Sequence, residues 1–118
     1  MRGQRFTNWH NKMTANYTIF QLNDSKVARG IKFMGYDFVK ECEVNLTLDL
    51  YNEVYSGKVE GRSEFFDNTK ELCDDIYMKF NLNHPADFRG HSLSTSDIVK
   101  VENHYYYCDD YGWVEVKF

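Results

Sequence analysis

The stretch from His84 to Val99, HPADFRGHSLSTSDIV, constrains this chain more than any other. It holds the only proline, two of the four histidines, and Gly90 beside Arg89. A helical pattern precedes it and a β-branched pattern follows it. Pro85 lacks the amide hydrogen a helix needs, so the helix has to end before it. The Ser/Thr run closing on Asp97 offers side-chain oxygens that lock turns. A helix led into a strand through so few free torsions points to one packing unit rather than to separable pieces.

The rest of the chain supplies the partners. Tyr17 to Leu22 is β-branched and aromatic and predicts a first strand. Asn23, Asp24 and Ser25 predict a turn. Val27, Ile31, Met34 and Phe38 recur near helical spacing, with Gly30 and Gly35 interrupting, which predicts one or two short helices broken near Gly35. Val44 to Leu50 has some strand character. Tyr51 to Val59 alternates as a second strand, with Gly57 expected at a bulge or at its end. Residues 60–66 read as a polar loop. Leu72, Cys73, Ile76, Tyr77 and Phe80 form one apolar helical face over about 68–80, capped by Asp67, with Asp74, Asp75 and Lys79 expected on the solvated side.

Three short strands close the chain. Residues 97–102 and 105–109 are expected to pair across an Asn103-His104 turn. Residues 113–118 alternate strictly, with Trp113, Glu115 and Lys117 on one face and Val114, Val116 and Phe118 on the other. The expectation is an α+β fold, with an antiparallel sheet ending in a three-stranded meander against one main helix and one or two short ones. Residues 1–16 are polar and irregular and read as a flexible leader with Phe6 and Trp9 as anchors; residues 17–118 read as a single domain.

Charge and cysteine usage narrow the partners. The net charge is −4, with a +3 leader through residue 23 and a body of −7. That balance argues against binding a phosphate backbone and suits a basic protein surface. Cys42, Cys73 and Cys108 form no C-x-x-C pair, which suits free thiols in a reducing, cytoplasmic compartment. No run approaches the ~20 apolar residues of a membrane span.

The residues from His84 to Asp97, followed by a strand and then YYCDDYGW from Tyr106 to Trp113, resemble the YodL-like domain. The resemblance extends upstream to YTIFQL at 17–22, RGIKFM at 29–34 and NEVYSG at 52–57. The tyrosine pair is extended to three, and Trp113 stands where that family tends to have phenylalanine. The resemblance implies a domain common on mobile genetic elements of Gram-positive bacteria, with no agreed activity or catalytic residues. Mobile-element proteins of this size are often anti-defence factors, so it also implies an anti-CRISPR inhibitor as a reading by association.

Two site hypotheses follow. In the first, the chain is a non-enzymatic acidic binding module without a cofactor. Its contacts would be Tyr105, Tyr107, Asp109, Asp110 and Trp113, with Phe6 and Trp9. Its partner would be a cytosolic protein such as a Cas nuclease complex, blocked directly or at guide-RNA loading; direct nucleic-acid contact is not favoured. In the second, His84, Asp87, Arg89 and His91 form the centre of a nuclease, since two imidazoles and a carboxylate can hold a divalent ion or move protons. Against it, the proline and glycine serve equally to shape the loop. A third class is an interaction domain of a cell-shape or conjugation apparatus.

Overall fold

The computed structural model describes residues 13–61 and 69–118. Strand β1 spans Met13–Leu22, helix α1 Lys26–Ile31 and helix α2 Tyr36–Glu41. A 3-10 turn at Leu48–Leu50 leads into β2, Tyr51–Gly61. Helix α3 is Thr69–Leu82, and β3, β4 and β5 are Ile98–Val101, His104–Cys108 and Trp113–Val116. All strand pairs are antiparallel, in the order β2-β1-β3-β4-β5, so the C-terminal three form a meander. This is the expected α+β class.

Helices cover both faces of the sheet. On one face Ala15, Tyr17, Ile19, Val99, Val101, Tyr106, Cys108 and Trp113 pack against Leu72, Cys73, Ile76 and Phe80 of α3. On the other, Leu22, Ile98, Tyr107 and Val116 pack with Ala28 and Ile31 of α1, Val39 of α2 and Tyr51. The short helices form because the chain caps them. Ser25 Oγ accepts the Ala28 amide of α1, and Gly35 stands at the start of α2.

Several boundaries differ from the sequence expectation, each for a physical reason. Strand β1 begins at Met13, four residues early, because the long β2 continues the ladder from Gly57↔Tyr17 to Gly61↔Met13. Residues 1–12, with Phe6 and Trp9, and the expected Asp67 cap lie outside the described residues. Gly57 is neither bulge nor strand end. It lies opposite Tyr17, and a Cβ there would stand 2.9 Å from Tyr17 Oη, so its bare face makes room for the ring. The bulge falls instead where Ile19 pairs with Tyr55 and Phe20 with Glu53, which skips Val54. The β3–β4 turn is Glu102-Asn103, one residue early. Val101 pairs with His104, and Glu102 takes the positive φ of 54° that a two-residue turn demands. Val44 to Leu50 joins the sheet nowhere and ends in the 3-10 turn.

Candidate functional site

The connector between α3 and β3 is pegged at both ends. Phe88 and Leu93 are buried in the α3-side core, with the Phe88 ring 4.8 Å from that of Phe80. Asn81, in the last turn of α3, holds Leu93 on both sides: the Leu93 amide donates to Asn81 Oδ1 at 2.8 Å, and Asn81 Nδ2 donates to Leu93 O at 3.2 Å. Gly90 sits where any side chain would collide with β1, because a Cβ would lie 2.4 Å from Gln21 Oε1.

The four residues of the nuclease hypothesis are exposed, and each meets a partner within the fold. His84 Nδ1 is 2.9 Å from Pro85 O, and its ring lies 5.6 Å from that of Phe88. Arg89 Nη1 donates to Ala86 O at 3.4 Å. His91 Nδ1 donates to Ser92 O at 2.7 Å. Asp87 faces the Tyr55 phenol, which burial first and this carboxylate second hold above its ordinary pKa. Among the described residues, no three His, Cys, Asp or Glu side chains stand together in a metal-holding group. The geometry of the loop is that of a brace.

A more distinctive feature lies where α3 meets the β4–β5 turn. A cleft of about 170 Å³ there is lined by Asp74 and Tyr77 of α3, Cys108 of β4, Asp109 and Asp110 of the turn, and Trp113 of β5. Among the described residues, no Lys, Arg or His lines it. Trp113 Nε1 donates to Asp74 Oδ1 at 2.8 Å, and the Tyr77 ring stands edge-on to the indole with centroids 6.2 Å apart. Asp109 Oδ1 accepts the amides of Tyr36 at 3.0 Å and Asp110 at 2.8 Å, which ties the turn to α2. The Cys108 thiol reports the local potential: burial, then Asp97, Asp109, Asp74 and Asp110, push it up to about 12. A site with three carboxylates and two ring walls is complementary to a cationic side chain, which gains both charge-assisted hydrogen bonds and contact with aromatic faces.

A family model for the YodL-like domain matches residues 16–118. The chain belongs to the YodL-like domain family. No curated protein and no solved structure matches it. The YodL-like fold therefore supplies a frame, and its site has to be argued from its own side chains.

The YodL-like fold separates the expected partner contacts. Asp109 and Asp110 stand at the cleft. Trp113 is a buried wall of it, since its alternating register turns it onto the α3 face beside Cys108. Tyr107 is not at the surface: it is fully buried on the opposite face, where its hydroxyl donates to Met34 O at 2.6 Å. Tyr105 shares that opposite face, half-buried between the rings of Phe20 and Phe118, with Lys100 Nζ 5.4 Å from its centroid. Three contributors were missed. Asp74 is held by the indole, Tyr77 stands on the rim rather than in the core, and Tyr111 is 95% exposed at the turn tip. Tyr111 was signalled by its place between Asp110 and Gly112, since a large ring in a turn has nothing to pack on.

Proposed function

We propose that this YodL-like chain is a protein-binding module whose acidic cleft receives an Arg or Lys side chain from a basic partner surface, with Tyr111 laid against the partner beside it. The carrying observation is the cleft itself: three carboxylates and two aromatic walls, with no lining cation among the described residues. Aromatic anchors flanked by complementary charge dominate many interface energies, and the charge adds association rate and specificity. The mobile-element setting that goes with the family, together with the acidic body, supports an anti-defence role. The target class would be a nucleic-acid-binding nuclease such as a Cas complex, whose groove is basic by necessity.

The test compares the wild-type chain with an Asp110→Lys, Tyr111→Ala double variant. Both residues are exposed, so the variant is expected to keep its circular dichroism and melting profile. Immobilised wild type should retain a Cas nuclease complex from host lysate at stoichiometric level, release it as salt rises, and inhibit its DNA cleavage. The double variant should lose both by at least tenfold. Equal retention by the two chains, or no stoichiometric partner for either, would refute the reading.

A further inference from the structure

Each of the three carboxylates in the cleft turns one oxygen to the fold and keeps the other open. Asp74 Oδ1 takes the Trp113 indole N–H at 2.8 Å. Asp109 Oδ1 takes two amides, from Tyr36 at 3.0 Å and from Asp110 at 2.8 Å. Asp110 Oδ2 lies against Gly35, where a Cβ would stand 2.6 Å from it and 2.9 Å from Asp109 Oδ1. Among the described residues, no donor reaches Asp74 Oδ2, Asp109 Oδ2 or Asp110 Oδ1. None of the three carboxylates forms an ion pair with a described residue either; the described pairs join Lys32 to Asp24, Lys40 to Asp37 and His104 to Glu115. Asp74 and Asp109 are therefore fixed acceptors. Neither can rotate its open oxygen away without breaking the bond that holds the other.

The open oxygens stand on two walls. Asp74 belongs to α3, while Asp109 and Asp110 belong to the β4–β5 turn. The turn is tied down, since the Asp109 amide donates to Gly112 O at 3.0 Å and the Tyr36 amide binds Asp109 to α2. Two rings complete the cleft. Trp113 is buried, and Tyr77, 36% exposed, stands with its plane at 82° to the indole.

This layout distinguishes between the two cationic side chains. An ammonium concentrates its charge on one nitrogen, holds its water tightly and directs three N–H bonds from a single point. A guanidinium spreads its charge over a plane, carries five N–H donors around its edge, sheds water more readily and lays its faces on aromatic rings. Only the second matches acceptors on separate walls beside a ring. We propose, resting on the reading of the cleft as a cation receptor, that it selects arginine over lysine and that Asp74 sets the preference. One edge of the guanidinium meets Asp74 Oδ2, another meets the carboxylates of the turn, and a face covers Tyr77. The indole N–H decides which oxygen of Asp74 is left to face the ligand.

The probes are acetyl-Gly-Arg-Gly-amide and its lysine and citrulline counterparts, each titrated at low salt into the nitrogen-15-labelled chain up to saturation or its solubility limit. The Trp113 indole N–H resonance reads occupancy, because its acceptor is the carboxylate that meets the ligand. The arginine peptide should bind about fivefold or more tightly than the lysine peptide. Citrulline, which keeps the shape without the charge, should leave the indole unmoved. In Asp74→Asn the amide oxygen still accepts the indole N–H, but an NH2 group replaces the open oxygen. Asp74 is exposed, so the variant is expected to keep the fold. It should bring the two cationic peptides to within about twofold of each other. Equal binding of the arginine and lysine peptides to the wild type refutes the selection and leaves the cation cleft standing. A preference that survives in Asp74→Asn overturns the role of Asp74. No shift from either cationic peptide, or equal binding of citrulline, overturns the selection and the cation receptor together.

Discussion

At the scale of single residues, Gly90 shows how one missing side chain fixes a contact. Gln21 Oε1 and the edge of the Phe88 ring crowd the space a Cβ would need, at 2.4 and 3.0 Å. Gly90→Ala has to displace Gln21, which cannot swing away without losing its hold on Asp97 and His91 O. The expected cost is about 1–3 kcal/mol, read as a lower urea midpoint with an unchanged slope. That the connector was structural could be read from Pro85 and Gly90 in the sequence. Which atoms Gly90 makes room for could not, because Gln21 lies far away in the chain. Trp113 teaches the same lesson. Alternation puts it opposite Val114, but no pattern within β5 says that both faces are covered, so an indole taken for a surface anchor became a wall bonded to Asp74.

At the scale of elements, α3 was the most legible piece. Leu72, Cys73, Ile76 and Phe80 fall on one stripe by helical spacing, and all four are buried. Tyr77 departs because it lies at the border of that stripe, where a ring can reach outward to Trp113. Phe80 is the keystone of the helix–sheet contact, with its ring against those of Tyr17, Tyr55 and Phe88 at 6.0, 5.3 and 4.8 Å. Phe80→Ala should cost about 3–5 kcal/mol, a large part of the stability of a domain this size. Chemical denaturation should register it as a loss of the cooperative transition or a strongly reduced midpoint. The strands were legible as strands, while their registers were not. The β3–β4 turn shifted by one residue because Glu102 accepts a left-handed conformation, and its amide and carboxylate then both bind the Asn16 backbone.

At the scale of the whole molecule, the layering decides which chemistry reaches solvent. Cys73 and Cys108 are buried in the α3-side core, and burial pushes both thiols well above their ordinary pKa; Cys42 is exposed at the end of α2. Iodoacetamide at pH 8 should therefore label Cys42 alone in the native protein and all three thiols after denaturation, as counted by mass spectrometry. Labelling of Cys108 in the folded state would mean that the acidic cleft opens to its base. The layering was only half legible: a chain this rich in aromatic residues needs a large core, yet a core on two faces of one sheet follows from α1, α2 and α3 docking on opposite sides.

The strand order carries a consequence for how the molecule is made. Strand β1 is bordered by β2, the next strand in the chain, and by β3, where Phe20 meets Ile98. On the ribosome the β1–β2 pair is complete well before the second neighbour of β1, β3, is synthesised. During that interval the free edge of β1 and its apolar side chains stand open to any extended polypeptide nearby. Translation that halts before Ile98 leaves a sticky ribbon rather than half a protein, and completion of the last strands is what closes the seam.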